Sequence, residues 1–511
     1  MTDRSQVVCI ALDAADGELI RRWAAAGRLP TFQRLLSDAA WGHTSAPRGL
    51  FVGAVWPSFF TGQSPARHGR YCYQQLRPGT YHAYRFAPPH LRAKPFWLAL
   101  SRVGKRVGII DVPKATCGAP LNGIHVTDWG THDAEGGGLR TWPRSLGPEL
   151  TARFGVEPVG SCDLHARDAA GARGLRDALL TRIEGKLALT TYLLGQGPWD
   201  LFLTVFSEAH CAGHQLWHLH DPTHPQYNPA IAQALGDPLE TIYCALDAAV
   251  GRLLAQIDRD ATVMVLTSHG MSTHCDGTLL LDEVLRRLEP VPHIRARQSF
   301  PTQFLPLIRR GWQGAPQSVR RALAPLRRGV HRWLEATVLD GTRRAFQVPN
   351  NDLVSGIRVN VVGREPRGLV QRGAEYDAFC DELTRELLAL INPVTGQPAV
   401  RAVVRTDDLY RGPQRDRLPD LLVEWDRTAP IRSLHSARVG TVQGTPISPR
   451  TGDHVAEGLF FARGPFIRPG LLAHSVSTMD FAPTIAALLG VTLPDVDGSP
   501  IAALLRPEHK P

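Results

Sequence analysis

Asp200-Leu-Phe-Leu-Thr-Val-Phe-Ser207 runs directly into Glu208-Ala-His210-Cys-Ala-Gly-His214-Gln-Leu-Trp217-His218, and the join between the two stretches decides the fold. The first is a near-continuous run of aliphatic, aromatic and β-branched residues, the pattern of a strand buried on both faces. The second carries two histidines four residues apart, which share one face of a helical turn. The same strand-to-helix passage recurs along the chain. Val7-Val-Cys-Ile-Ala-Leu12 ends in Asp13 and leads to an amphipathic stretch from Glu18 to Ala26, followed by a short helix from Leu29 to Leu36. Arg106-Val-Gly-Ile-Ile-Asp111-Val-Pro113 reads as a strand stopped by proline. A helix from Leu239 to Ile257 feeds Ala261-Thr-Val-Met-Val-Leu-Thr-Ser268, which ends at His269. Asp420-Leu-Leu-Val423 is a late strand, and Met479 to Gly490 a helix closed by glycine. This alternation predicts an α/β fold with a mostly parallel, two-sided sheet. The prediction is a single domain over 1–511, broken at about 285–345 by an inserted basic segment.

Open parallel sheets bind ligands at the carboxyl ends of their strands. Asp13, His210, His214 and His269 all fall there, and His454 lies in Arg450-Thr-Gly-Asp453-His454, just before the strand-like Gly458-Leu-Phe-Phe461. Histidine and aspartate gathered at one sheet edge point to a metal centre. His132, His218, His220, His224 and His274 lie near the same turns and read as surface or supporting groups. Glu208, Cys211 and Trp217 read as packing or supporting residues. Arg67, Arg70 and Lys114 are cations available to an anionic substrate.

With 43% hydrophobic residues over 511 positions the chain can bury a large core. No apolar run reaches the roughly 18 to 20 residues of a membrane span. The amino terminus shows no basic-then-apolar leader, which predicts a cytoplasmic protein. The eight cysteines are scattered without a Cys-x-x-Cys pair, as expected of reduced thiols. The net charge of +9 is uneven. Nine arginines stand between Arg309 and Arg344 against only Glu335 and Asp340, interleaved with apolar residues. That cluster suits a solvated insertion, an anionic surface or an acidic partner. No nucleic-acid-binding motif accompanies it.

Several segments together resemble the alkaline phosphatase superfamily in its type I phosphodiesterase/nucleotide pyrophosphatase branch. They are Ile10-Ala-Leu-Asp13-Ala-Ala-Asp16, Gly27-Arg-Leu-Pro30, Val55-Trp-Pro-Ser-Phe-Phe-Thr61-Gly62-Gln-Ser-Pro65-Ala-Arg-His68-Gly69 and Ser268-His269-Gly270-Met271. Arg364-Glu-Pro-Arg-Gly-Leu-Val370, Pro419-Asp-Leu-Leu-Val423, Thr451-Gly-Asp-His454 and Ala482-Pro-Thr484 complete them. The resemblance implies a three-layer sandwich and two divalent ions roughly 4 Å apart, clamping a phosphoryl or sulfuryl group attacked by a Thr or Ser alkoxide. Carried over position by position, Asp13, His214, His269 and His454 match the family's metal ligands, with Asp13 and His269 also placed for proton transfer.

Three positions depart from the family pattern. His210 replaces the Asp of the Asp-x-x-x-His pair, and Ser268 replaces the Asp of the Ser-Asp-His-Gly turn. The nucleophile position, nine residues before Thr61, is Val52; Thr44, Ser45 and Ser58 are the hydroxyls nearby. Loss of two carboxylates and an alkoxide leaves the second ion poorly held. The first ion gains an imidazole, giving a site of His210, His214 and His454. Such a site suits zinc, with Fe²⁺ as the alternative, and lets a metal hydroxide replace the missing alkoxide. The expected activity is hydrolysis of a phosphate or sulfate ester on a small anionic substrate. A non-hydrolytic mononuclear metal enzyme, or a metal-binding pseudoenzyme, is the competing reading.

Overall fold

The computed structural model describes residues 6–87, 90–132, 138–160, 168–275, 277–289, 339, 341–444, 448 and 450–505. Its central sheet uses β1 (Val7–Leu12), β2 (Ala40–Ser45), β3 (Val107–Ile110), β4 (Gly123–Thr127), β5 (Arg140–Trp142), β6 (Leu201–Phe206) and β7 (Thr262–Thr267). After a short strand β8 (Gly270–Thr273) the chain builds a second sheet from β9 (Ala345–Val348), β10 (Val354–Val359), β11 (Val400–Arg405) and β12 (Leu421–Trp425). It then returns through β13 (Gly452–Val455), β14 (Glu457–Arg463), β15 (Gly470–Leu471) and β16 (Val476–Ser477).

The order across the central sheet is β15-β2-β14-β7-β1-β6-β3-β4-β5, with β16 also on β2. The strands from β7 to β4 run parallel, in register from Val7 opposite both Leu201 and Thr262. β14 is reversed between β2 and β7. Successive side chains of β1 enter different cores. Val8, Ile10 and Leu12 join one apolar cluster, while Val7, Cys9 and Ala11 join the other. Both faces are therefore covered, as a parallel sheet requires, and a layer of helices lies on each.

The helices begin where the sequence supplies a cap. Asp16 Oδ1 accepts from Leu19 N at 2.8 Å to start α1 (Gly17–Ala25). Proline opens α2 (Pro30–Asp38). Then come α3 (Phe51–Thr61), α4 (Ala169–Leu194), α5 (Glu208–His220) and α6 (Pro238–Leu254), the last capped by Asp237 Oδ1 on Leu239 N and Glu240 N. The 26-residue α4 was not anticipated from sequence; its apolar pattern is interrupted by Arg182 and Lys186, both buried in ion pairs.

One expectation needs correction. The Asp420 strand is not part of the parallel sheet: β12 lies in the second, antiparallel sheet with its own apolar cluster. His454 stands just before a strand, β14, as expected; it lies itself in β13, paired antiparallel with β8, and the reversed β14 starts at the carboxyl edge of its neighbours, so His454 reaches the same edge from the opposite chain direction.

The predicted insertion falls mostly outside the described residues. At its margins α7 (Thr278–Leu288) occupies the first part of that span. Arg343 pairs with Asp282 at 2.7 Å and Arg344 with Glu289 at 2.5 Å, so this last doublet of the arginine cluster is internally neutralised. The described cysteines are free thiols. Among the described residues no helix is long and apolar enough to cross a membrane.

Candidate metal centre

The site is built where β1, β6 and β7 end. β1 delivers Asp13, whose side chain is buried. α5 starts directly after β6 and stacks His210 and His214 one turn apart, their ring centroids 4.8 Å from each other. β7 delivers Ser268 and His269. The two-stranded ribbon of β8 and β13 brings His454 across the opening, 4.7 Å from His210, 4.6 Å from His214 and 4.3 Å from His269 between ring centroids. The ribbon can approach α5 this closely because of Gly452: a Cβ there would lie 2.3 Å from the Gly213 carbonyl oxygen. All five residues expected from the sequence thus stand together.

Hydrogen bonds fix how each ring presents its nitrogens. His214 Nδ1–H donates to the Gly452 carbonyl at 2.8 Å, which leaves the lone pair on Nε2. His210 Nδ1–H donates to Asp13 Oδ2 at 2.7 Å, with the same consequence. Asp13 Oδ1 accepts from Trp56 Nε1 at 2.8 Å and from Ser268 Oγ at 3.0 Å. Since the Ser268 proton goes to a carboxylate, the 2.6 Å contact to His269 is a donation from His269 Nδ1–H to Ser268 Oγ, which also accepts from Ala14 N at 3.2 Å. His269 then keeps its lone pair on Nε2. His214 Nε2, His269 Nε2 and both nitrogens of His454 are buried and have no hydrogen-bond partner among the described residues.

Burial disfavours the charged form of every one of these rings. It holds His269 at about 3 and His214 and His454 well below the ordinary histidine value, with neighbouring imidazoles and Arg450 adding to the effect. His210 is lowered by burial and by His132, against the pull of Asp13. Burial works against the Asp13 carboxylate too, but His210, His269 and the Trp56 indole outweigh it and keep Asp13 ionised. The site is a set of neutral nitrogen donors beside the Asp13 carboxylate, with a second buried carboxylate, Asp453, next to His214 and His454. Orphaned, buried, neutral imidazoles fit a divalent cation and little else. Nitrogen or oxygen atoms of His214, Asp453 and His454 lie within 4.8 Å of one another, as do those of His132, His210 and His214.

The position expected to carry the nucleophile, Val52, is in the first turn of α3 and packs against the core. Trp56, one turn on and so on the same helix face, is the donor to Asp13. The Val52 carbonyl accepts from Lys114 Nζ at 2.5 Å, and the Lys114 charge is felt at His269. Of the nearby hydroxyls Thr44, Ser45 and Ser58, none bonds to Asp13 or to a histidine of the cluster. Ser58 is fully buried and bonded to His68 Nε2 at 3.0 Å, Thr44 is fully buried in β2, and Ser45 is exposed at the end of that strand.

The remaining residues divide by contact. His218 and His224 bond to Thr451, bracing the turn before His454. His220 is tied to Asp237 and Arg22, away from the cluster. His274 pairs with Asp453 at 3.1 Å. Trp217 donates to Thr273 Oγ1. Arg67 is held by Asp495 and Asp497, and Arg70 lies over the Phe86 ring. Sequence reading missed Trp56 as an acceptor's partner and undervalued His132; an indole among apolar helix residues, and a histidine in a loop, carry no periodic signal.

The sequence profile described as type I phosphodiesterase / nucleotide pyrophosphatase matches residues 7–434. This chain belongs to that family. Its members are phosphoester hydrolases that work with divalent metals. No curated protein matches the chain. Among solved structures, an inactive variant of murine ectonucleotide pyrophosphatase / phosphodiesterase 5 in complex with AMP superposes with a TM-score of 0.51 at 12% identity, covering 98% of this chain and 100% of the other. Phosphonoacetate hydrolase from Sinorhizobium meliloti in complex with phosphonoformate gives 0.50 at 15% identity, covering 95% and 96%. Both share the alkaline-phosphatase-like α/β fold expected from the sequence.

Proposed function

We propose that this member of the phosphodiesterase family hydrolyses a phosphate or sulfate ester at a single divalent ion held by histidine, without a nucleophile from the protein. The observation that carries the reading is the set of buried imidazole nitrogens of His214, His269 and His454, which have no hydrogen-bond partner among the described residues, with the His454 ring 4.3–4.7 Å from the rings of His269, His214 and His210. His210, His214 and His454 would hold the ion, with Asp13 and His269 beside it. When bound, a divalent ion supplies a Lewis acid for the ester oxygens and acidifies water, the role the alkoxide otherwise fills. Zinc suits such a donor set, and Fe²⁺ is the alternative.

The chain's own residues supply the rest. Asp13 holds the His210 ring in place and fixes its tautomer. The hydrogen-bonded series His269–Ser268–Asp13 offers a path for the proton given up by an attacking water. Lys114 and Arg450, whose charges act on His269 and on His214 and His454, favour an anionic substrate. With Val52 at the position that the family pattern gives to an attacking hydroxyl, water is the nucleophile in this reading.

Purified protein assayed with bis(p-nitrophenyl) phosphate, p-nitrophenyl phosphate and p-nitrophenyl sulfate tests the proposal. Hydrolysis of at least one, abolished by chelation and by His214→Ala, is expected. One iron per chain with no hydrolysis of any ester would transfer the site to non-hydrolytic chemistry.

A further inference from the structure

Beyond the five residues considered so far, one more imidazole lies against His210 and His214. His132 ends the loop Asp128-Trp129-Gly130-Thr131 that follows β4. The loop is pinned from below: Asp111 accepts from Trp129 N at 3.0 Å, from Gly130 N at 2.8 Å and from Lys186 Nζ at 2.5 Å. The His132 ring lies over the His210 ring, with centroids 4.0 Å apart and planes 28° from parallel, and it is 5.8 Å from the His214 ring. One nitrogen from each of the three falls within 4.8 Å of the others.

The other side of the His132 ring is held by a buried polar series. His132 Nδ1 is 3.3 Å from Cys211 Sγ, which also receives Arg182 Nη2 at 3.4 Å. Arg182 is buried and donates to Glu208 Oε1 and Glu157 Oε1, both at 2.8 Å. In the tautomer that gives its Nδ1 proton to sulfur, the ring keeps its lone pair on Nε2. Metal-bound histidines are held in this way by an acceptor on the far nitrogen.

Resting on the metal-site reading above, we propose that His132 is a further nitrogen ligand of the same ion, recruited from a loop of the central sheet. With His210 in place of a carboxylate, the ion loses charge attraction, and a fourth imidazole restores donor strength without restoring charge. The site then selects borderline ions such as zinc, cobalt and Fe²⁺ over Mg²⁺ or Ca²⁺, which prefer oxygen.

Titration of the metal-free chain with Co²⁺, followed by visible absorption, tests this independently of activity. The wild type is expected to take up Co²⁺ with bands that report its ligand field. His132→Ala and His132→Asn are expected to bind it at least tenfold more weakly and with shifted bands, while circular dichroism of the metal-free variants stays unchanged. Equal affinity and identical bands in a folded variant overturn the role of His132 and leave the metal-site reading standing. Failure of the wild type to bind Co²⁺ overturns both. Should neither variant fold, anomalous scattering from Co²⁺-loaded wild-type crystals decides: an ion within bonding reach of His132 Nε2 supports the proposal, and one beyond it refutes it.

Discussion

His210 donates its Nδ1 proton to Asp13 at 2.7 Å, so a residue that stands where relatives carry a metal-binding carboxylate is itself oriented by the first strand's carboxylate. Asp13 also accepts from Trp56 and Ser268. Asp13 thus joins three side chains around one carboxylate, which has consequences for the proposed site.

Asp13→Asn keeps the shape of the side chain but removes its charge and one acceptor. Its one remaining oxygen cannot accept from His210 on one side and from Trp56 and Ser268 on the other, as the two carboxylate oxygens do. Outer-shell substitutions of this type weaken metal affinity by roughly 10–100-fold. A zinc competition titration should show a loss in that range, and an unchanged affinity would mean that His210 needs no anchor.

Val52→Thr is expected to fold, because the two side chains have similar volumes and Val52 is only half-buried. Its contact to Lys114 runs through the main chain and survives the change. In the wild type, acid-quenched turnover of a slow phosphodiester should yield no phosphorylated chain. Phosphate trapped on Ser45 or Ser58 would show that a protein nucleophile exists after all.

Restoring the family's charges should restore its second ion. Ser268 Oγ lies 3.0 Å from Asp13 Oδ1, so Ser268→Asp alone sets two carboxylates against each other. A second cation relieves that repulsion. The combination His210→Asp, Ser268→Asp and Val52→Thr is therefore predicted to bind two ions per chain and to gain activity on an aryl phosphodiester, whereas His210→Asp alone keeps one. Elemental analysis of the two variants distinguishes the outcomes.

The fold should lose stability early on acidification. Burial holds His68 at about 3, helped by Arg70, and His125 at about 4. Both folded values lie below the unfolded one, so between pH 6.5 and about 4 the unfolded chain takes up protons that the native chain refuses. Stability falls with pH over that window by about 1.4 kcal/mol per unit for each histidine. Urea unfolding of the metal-free chain at pH 7 and pH 5 should show the midpoint dropping; a level profile would mean that these rings accept protons in place.

Far from the site, Asp420 anchors β12 by accepting from Arg364 Nη1 at 2.8 Å, Arg364 Nη2 at 2.6 Å, Val359 N at 2.7 Å and the Tyr376 hydroxyl at 3.1 Å. Asp420→Ala leaves Arg364 paired with Glu365 alone and strands the buried Val359 N–H, and should cost about 1–3 kcal/mol. Thermal denaturation would register this as a fall in melting temperature, and an unchanged melting temperature would show that Glu365 is partner enough for Arg364.

The parallel strands were legible because each is an unbroken apolar run flanked by polar residues, and their helices because apolar residues recur at three-to-four spacing. That legibility located Asp13, His210, His214 and His269 at one sheet edge. What stayed hidden depends on pairing between distant segments. Nothing local in Asp420-Leu-Leu-Val423 says that it joins an antiparallel sheet, since a short apolar strand looks alike in either setting. His454 reaches the cluster only because β13 pairs with β8 and β14 reverses. His132 reaches it because Asp111 and Lys186, buried and far apart in sequence, hold its loop. Periodicity cannot report a contact made by one loop residue.

The number of divalent ions bound per chain tests the central claim most directly. Elemental analysis of the purified protein should find one ion, zinc or iron, lost in His214→Ala. Two equivalent, tightly held ions in the wild type, or none after incubation with zinc and Fe²⁺, would contradict a single histidine-held centre.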